Sequence, residues 1–248
     1  MILASNPKYS LMPFKEALDI VRKDFDGWEF LAEKYHSWEF RDQIEDHLST
    51  IDMEIQIHSQ LNDVNIASIN PTLRKASIKE IEKTFKLANS IDVEMVTVHP
   101  GIYSPLSIYW DETSKTAIDS LNKLKMKGDE YGVTITMENL PEMWLALCSK
   151  PEETSDFLDE TGLDFCLDVG HAYTSDSLDE FLEFKPVNLH LHDNVGEEDS
   201  HLALGDGEID FEYVLSKLED YQGNYVIEGR AEDELVKSKK YLKRLITE

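Results

Sequence analysis

The chain has 248 residues, with 50 Asp and Glu against 24 Lys and Arg, a formal net charge of -26. That length fits one barrel or doubly wound α/β domain spanning 1–248, and 41% hydrophobic residues with ten Phe, ten Tyr and four Trp supply a large core, which excludes disorder. Such acidity raises the cost of approaching nucleic acid or anionic lipid, since those partners need Lys and Arg to release counterions.

Short apolar runs alternate with amphipathic stretches along the whole chain. "MILAS" is a weak first strand, followed by the helical pattern "FKEALDIVRKD". "DGWEFL" is the second strand, with only a loosely signalled helix behind it. "DMEIQIHS" leads to the helix "SIKEIEKTFKLANSI", and "EMVTVHPG" to "SKTAIDSLNKLKMKGDEYG". "VTITMENL" precedes "PEETSDFLDETG", and "LDFCLDVGH" and "VNLHLHD" follow. "LGDGEID" then turns the chain into "DFEYVLSKLEDYQG", expected to be the last helix, before the strand "NYVIEGR". Strands alternating with helices throughout predict α/β class and a single (β/α)8 TIM barrel. No segment approaches ~20 consecutive apolar residues and no basic leader opens the chain, so a cytoplasmic protein without a membrane span is expected.

The strand ends carry the functional signal. His58 closes "EIQIH", His99 closes "VTVH", Glu138 closes "TITME" and Asp168 closes "FCLD", with His171 one turn beyond. His190 lies in "VNLH", Glu228 closes "YVIE", and the loop after His190 adds Asp199 and His201. A lone His at a strand end is most often structural, and "VHPG" alone is a plain strand-to-turn signal. Glu138 and Glu228 are harder to dismiss, because a carboxylate straight after an apolar strand is costly unless paired or coordinated. Barrel closure would gather all these ends on one rim, the face on which such barrels carry their chemistry.

Other residues take plainer readings. His36 and His47 are expected at the surface. At most one of His190 and His192 is expected to point to the metal side, and Asp193 is expected to orient a neighbouring ligand. Trp28, Trp38, Trp110 and Trp144 are read as core or rim packing, and Cys148 and Cys166 as core thiols. Arginine is confined to Arg22, Arg41, Arg74, Arg230 and Arg244.

The segments "IHSQLNDVNIAS", "VTVHPG", "TMENLPE", "LDVGHAY", "HLHDN", "DSHLALGDGEIDF" and "VIEGR" together resemble the xylose isomerase-like TIM barrels, also called AP endonuclease family 2. Within that superfamily the ligand set is similar to that of endonuclease IV, whose zinc site uses nine residues. The resemblance implies His58 and His99 on a first metal that shares Glu138 with a second. It implies Asp168, His190 and Glu228 on the second ion, and His171, Asp199 and His201 on a third. Up to three divalent ions follow, Zn²⁺ first, with Mn²⁺ or Fe²⁺ also suited to the donors. The implied catalytic residues are Glu138, Glu228 and Asp168, and the implied chemistry is metal-assisted phosphoester hydrolysis at an apurinic or apyrimidinic site. The sugar isomerases and epimerases of the superfamily resemble a simpler arrangement. In it Glu138, Asp168, His190 and Glu228 would hold one ion, while Glu138 and Glu228 shuttle a proton. A third reading is a degenerate barrel that stores or senses metal.

Two departures bear on the substrate. The chain lacks the basic loops that would grip and bend a duplex, and "ILASNPKYS" lacks the usual start of endonuclease IV. The expected partner is a small phosphorylated or sugar substrate, or abasic DNA, with no membrane and no stable nucleic-acid complex at low salt.

Overall fold

In the computed structural model, which describes residues 1–107, 112–196 and 198–247, eight parallel strands close into a barrel. They are β1 (Ile2–Ser5), β2 (Gly27–Leu31), β3 (Glu54–His58), β4 (Met95–Val98), β5 (Thr134–Glu138), β6 (Asp164–Asp168), β7 (Asn188–Leu191) and β10 (Asn224–Glu228). The closing contact joins first to last: β1 pairs with β10 from Ile2 opposite Tyr225 to Ser5 opposite Glu228. This registration brings the weak strand "ILAS" into the barrel wall, where all four of its residues are buried. A separate two-stranded hairpin, β8 (Asp193–Val195) with β9 (Glu198–Leu202), stands outside the barrel wall.

The helices begin and end where local chemistry demands. In α3 (Pro71–Ser90) the Asn70 side chain accepts hydrogen bonds from the Thr72 and Leu73 amides, and Pro71 occupies the first turn. α4 (Thr113–Tyr131) stops at Gly132, whose φ of 69° is the left-handed conformation of a C-cap. α5 (Pro151–Thr161) again starts on proline, and in α8 (Phe211–Lys217) Asp210 caps the Tyr213 amide. α1 (Phe14–Val21) and α2 (Arg41–Leu48) are short, and two 3-10 turns, Lys34–His36 and Trp38–Phe40, stand between β2 and α2. Beyond the expected helices lie α6 (Val169–Thr174), α7 (Leu178–Phe181) and α9 (Glu232–Thr247). The helix after "LGDGEID" is therefore not the last: α9 follows it and buries Leu235 and Leu242 against the barrel's outer core.

Alternation along the strands separates two interiors. Outward residues such as Trp28, Phe30, Ile57, Val96 and Leu189 pack under the helices, meeting Phe14, Phe85, Leu121 and Phe157. Inward residues are polar. Thr136 donates to Thr97 at 3.1 Å, and Asn188 donates to Glu29 at 3.1 Å and to Thr97 at 3.4 Å, all fully buried. Stepping two residues along from each of these positions reaches the rim: Thr97 to His99, Thr136 to Glu138, Asn188 to His190. The rim cluster thus stands on a hydrogen-bonded floor and not on oil. Cys148 and Cys166 are free and buried. Trp28 is core and Trp38 packs against the core, whereas Trp144 is 69% exposed; Trp110 lies outside the described residues. No helix among the described residues is long and apolar enough to cross a membrane.

His36 is not a surface residue. It is fully buried in an aromatic box, with Phe14 at 5.1 Å, Trp28 at 5.3 Å and Phe30 at 5.9 Å between ring centroids. The 3-10 turn after β2 swings it back over the strand, a path that helical periodicity does not reveal. Burial disfavours the imidazolium and lowers its pKa from 6.5 to about 4. The unfolded chain takes up a proton near pH 6.5 while the folded chain does not until about pH 4. Stability therefore falls as pH drops through that interval, by up to about 3 kcal/mol. His36→Phe should remove this component, so the difference in urea midpoint between pH 7 and pH 4.5 should shrink relative to wild type.

Candidate metal centre

All nine strand-end and loop positions named from the sequence face one end of the barrel, and two further residues join them. Glu138, at the end of β5 and 1% exposed, is the hub. Its Oε2 lies 3.0 Å from His58 Nε2 and 3.4 Å from His99 Nε2, while its Oε1 lies 3.3 Å from His171 Nδ1. On the other side His190 Nδ1 is 3.1 Å from Glu228 Oε1 and 3.6 Å from Glu138 Oε2. Beyond His171, Asp199 Oδ2 sits 3.2 Å from His201 Nε2, and His201 Nδ1 reaches Glu228 Oε2 at 3.4 Å. Asp168 Oδ1 caps α6 by accepting from the His171 amide at 2.7 Å and also lies 3.1 Å from His192 Nε2.

Several imidazoles have their orientation set from behind. His58 Nδ1 donates to the Ser59 carbonyl at 2.9 Å and His171 Nδ1 to the Asn139 carbonyl at 2.8 Å, so each keeps Nε2 for the cluster. His190 has its Nε2 2.9 Å from Glu29 Oε1, at the barrel's inner floor, which turns Nδ1 toward Glu138 and Glu228. A cavity of about 320 Å³ opens over the cluster. Its walls are apolar, from Leu31, Leu61, Ile102, Leu140 and Met143, and no Lys or Arg lines it among the described residues.

Crowding of charge perturbs several ionisations here. Burial would lower the His58 pKa, but the Glu138 carboxylate more than offsets this and lifts it to about 9. His171 rises to about 10 against the same burial effect, through Asp168 and Glu138. His99, with its burial dominant, is lowered. Burial opposes ionisation of Glu138, Asp199 and Glu228, yet their histidine neighbours win: all three are lowered, Asp199 to about 2.

The donor set fits divalent cations. Ligand-type atoms fall into groups within 4.8 Å of one another: His58, His99 and Glu138; Glu138, Asp168 and His171; Glu29, His190 and Glu228; Asp168, His192 and Glu228; and His171, His192, Asp199 and His201. Asp168 Oδ2, Asp199 Oδ1, His190 Nδ1 and both nitrogens of His192 are buried without an aligned hydrogen bond. Buried polar atoms of that kind are costly, and a cation at their centre would satisfy them.

A closed parallel barrel with its polar cluster at the C-terminal strand ends defines the (β/α)8 class. The chain belongs to the xylose isomerase-like TIM-barrel family, which matches it over residues 14–245. It is 32% identical to uncharacterized protein MJ1311 of Methanocaldococcus jannaschii over 248 residues, covering 92% of this chain and 82% of that one. It is 26% identical to "Probable endonuclease 4" of Natronomonas pharaonis over 167 residues, 59% of this chain and 58% of that one. Among solved structures, a D-tagatose 3-epimerase-like protein superposes with a TM-score of 0.90 at 27% identity, covering 99% of this chain and 97% of that one.

The structure also corrects two sequence readings and adds two residues. His192 does not face away from the cluster: residues two apart on a strand share a face, and both His190 and His192 point into it. Glu29 was passed over, although a charged residue between Trp28 and Phe30 in an apolar strand was the available signal. Asp193 orients no histidine. Its buried carboxylate accepts from the amides of Asn194, Gly205, Gly207 and Ile209 at 2.9, 2.9, 2.9 and 3.1 Å, pinning the loop that leads from β9 to α8. Charge-assisted bonds of this kind are each worth about 1.5–3 kcal/mol. Asp193→Ala should therefore lower urea-unfolding stability by about 3 kcal/mol or more, with faster amide exchange at Gly205, Gly207 and Ile209.

Proposed function

We propose that the chain is a divalent-metal-dependent enzyme that hydrolyses small phosphoesters at a polynuclear site, by chemistry of the endonuclease IV kind. The observation that carries this reading is the position of Glu138, whose Oε2 lies 3.0 Å from His58 Nε2, 3.4 Å from His99 Nε2 and 3.6 Å from His190 Nδ1, between the residues of two prospective ions. A carboxylate shared in that way suits a bridging ligand between two ions. Charge balance supports more than one ion. The ligand-type groups hold the five carboxylates of Glu29, Glu138, Asp168, Asp199 and Glu228, which about three dications would neutralise.

His58, His99 and Glu138 would hold one ion; Glu138, Asp168, His190 and Glu228 a second; and His171, Asp199 and His201 a third. Zn²⁺ suits this mixed imidazole and carboxylate set, with Mn²⁺ or Fe²⁺ as alternatives. Bound dications would supply Lewis-acid stabilisation of phosphoryl charge and an acidified water as nucleophile. The protein's own part is to fix the imidazoles through Ser59, Asn139 and Glu29, and to wall the mouth with apolar side chains that limit water. With no Lys or Arg on the cavity wall, recognition of a phosphoester would fall to the ions themselves. A net charge of -26 further favours a small substrate over duplex DNA.

A second reading, a sugar or sugar-phosphate epimerase, is favoured by the 27% identity and 0.90 TM-score to the D-tagatose 3-epimerase-like structure. It would need only Glu138, Asp168, His190 and Glu228 on a single ion, with Glu138 and Glu228 as the proton-transfer pair.

Protein purified without chelator should contain about three equivalents of metal for the hydrolase and about one for the epimerase. His99→Ala should reduce cleavage of bis(p-nitrophenyl) phosphate by about 100-fold or more, yet spare solvent deuterium exchange into ketoses if that is the true activity. A wild-type protein that exchanges deuterium into ketoses and leaves phosphoesters intact would reject the hydrolase.

Metal uptake should also release protons, because His58 at about 9 and His171 at about 10 are protonated at neutral pH in the ion-free chain. Zn²⁺ titrations in buffers of different ionisation enthalpy should give about two or more protons released near pH 7.5, since His190 is raised as well, and affinity should fall as pH is lowered.

A further inference from the structure

His192 lies outside the nine-residue ligand set that the endonuclease IV resemblance carries, yet it stands within the rim cluster. It is fully buried, and neither ring nitrogen has an aligned hydrogen bond. An unpaired polar group in that position costs about 1–3 kcal/mol. The chain makes deliberate room for it: a Cβ on residue 170 would stand 2.1 Å from His192 Cε1, so only glycine fits in α6 at that point. Its Nε2 is 3.1 Å from Asp168 Oδ1 and 3.7 Å from Asp199 Oδ1, and its ring stacks on that of His201 at 3.9 Å between centroids.

The neighbouring hairpin supplies an independent reason for a cation here. A two-stranded hairpin is marginally stable by itself in water, and β8–β9 pairs with no barrel strand. Asn194 ties it down from one side by donating to the Gly170 carbonyl at 2.9 Å. On the other side the hairpin offers Asp199 and His201, the latter with a left-handed φ of 50° that a histidine adopts only at some cost. Together with His171 and His192 these make one group of four ligand-type residues, all within 4.8 Å of one another. The group around His58, His99 and Glu138 has three. Four protein ligands fill a tetrahedral shell, whereas three leave a position for substrate or water.

We propose that His192 is the fourth protein ligand of an ion held by His171, Asp199 and His201, and that this four-ligand site is a structural clasp fastening the β8–β9 hairpin to the barrel rim. This rests on the polynuclear reading and refines it: His171, Asp199 and His201 line the same cavity as Glu138, and the buried His192 behind them would complete the ion's shell.

The test is metal content and hairpin protection, neither of which needs a substrate. Wild type, His192→Leu, His201→Ala and the double variant are loaded with Zn²⁺, desalted and analysed, with far-ultraviolet circular dichroism to establish folding. Each single variant should lose about one equivalent and the double variant no more than either, since both residues would serve one ion. Limited proteolysis within 193–202 should speed up in each. Wild type loaded with Co²⁺ should show the intense visible absorption of tetrahedral cobalt, lost in both single variants. Should His192→Leu fail to fold, His192→Asn, which keeps a polar side chain of smaller size, takes its place in the metal and cobalt readouts. Full metal content in His192→Leu, or a double variant losing two equivalents, overturns the clasp while leaving a polynuclear site intact. A wild type holding a single ion overturns both together.

Discussion

A carboxylate shut away from water must be answered by positive charge, and at the mouth of this barrel that demand is concentrated on Glu138. With 1% exposure and His58, His99, His171 and His190 in reach, it makes a histidine environment in which His58 and His171 hold protons far above their usual range. The surrounding architecture follows from keeping this cluster in place. Backbone carbonyls of Ser59 and Asn139 orient two imidazoles, and Glu29 stands behind a third. Thr97, Thr136 and Asn188 give that floor its hydrogen bonds. Only outside the strands does the packing become oily, where Trp28, Phe30, Ile57 and Leu189 meet the helices. The barrel therefore spends its inner face on electrostatics and its outer face on hydrophobic stabilisation.

The rim cluster has an open face and a buried back. On the open face His58, His99, Glu138, His171, Asp199 and His201 all line the 320 Å³ cavity. Behind them His192 is fully buried beneath α6. Asp168 is buried at the back as well, capping α6 through the His171 amide while facing His192. A change at Asp168 would thus reach both the helix start and the cluster, a coupling that arises because one short element supplies cap and cluster residue together.

Legibility from the sequence tracks how local each determinant is. Pro151 at the start of α5 and Gly132 at the end of α4 are local signals, and those ends fall where the patterns put them, whereas α3 begins at Pro71, ahead of the pattern "SIKEIEKTFKLANSI". The strand-end residues were legible because closure of a barrel puts every strand end on the same rim. What escaped was decided by tertiary geometry. His36 is buried because a 3-10 turn folds it onto Trp28, and no period announces such a turn. Asp193 looks like an orienting residue by adjacency to His192, but three amides of a loop more than ten residues downstream, plus its own neighbour's, compete for its carboxylate. Glu29 finds its partner across the barrel in β7, a pairing that only closure creates. The missed role of His192 was not of this kind: residues two apart share a face, and the rule was available from the strand alone.

The surface and the site carry opposite preferences, and together they constrain what can enter. An acidic shell of -26 draws divalent cations inward and repels polyanions over roughly a Debye length, about 10 Å at 0.1 M salt. A DNA duplex brings about one charge per 1.7 Å of axis and would be opposed along its whole contact, with few arginines to compensate. A small molecule carrying one or two charges meets the same field only briefly before reaching a cavity whose floor, once metallated, is locally positive. Under either reading proposed above, the substrate would be compact and polar at one end, small enough for 320 Å³ and compatible with apolar walls around the rest. Whether its reacting centre is a phosphorus or a carbon next to a carbonyl depends on how many ions Glu138 is asked to join.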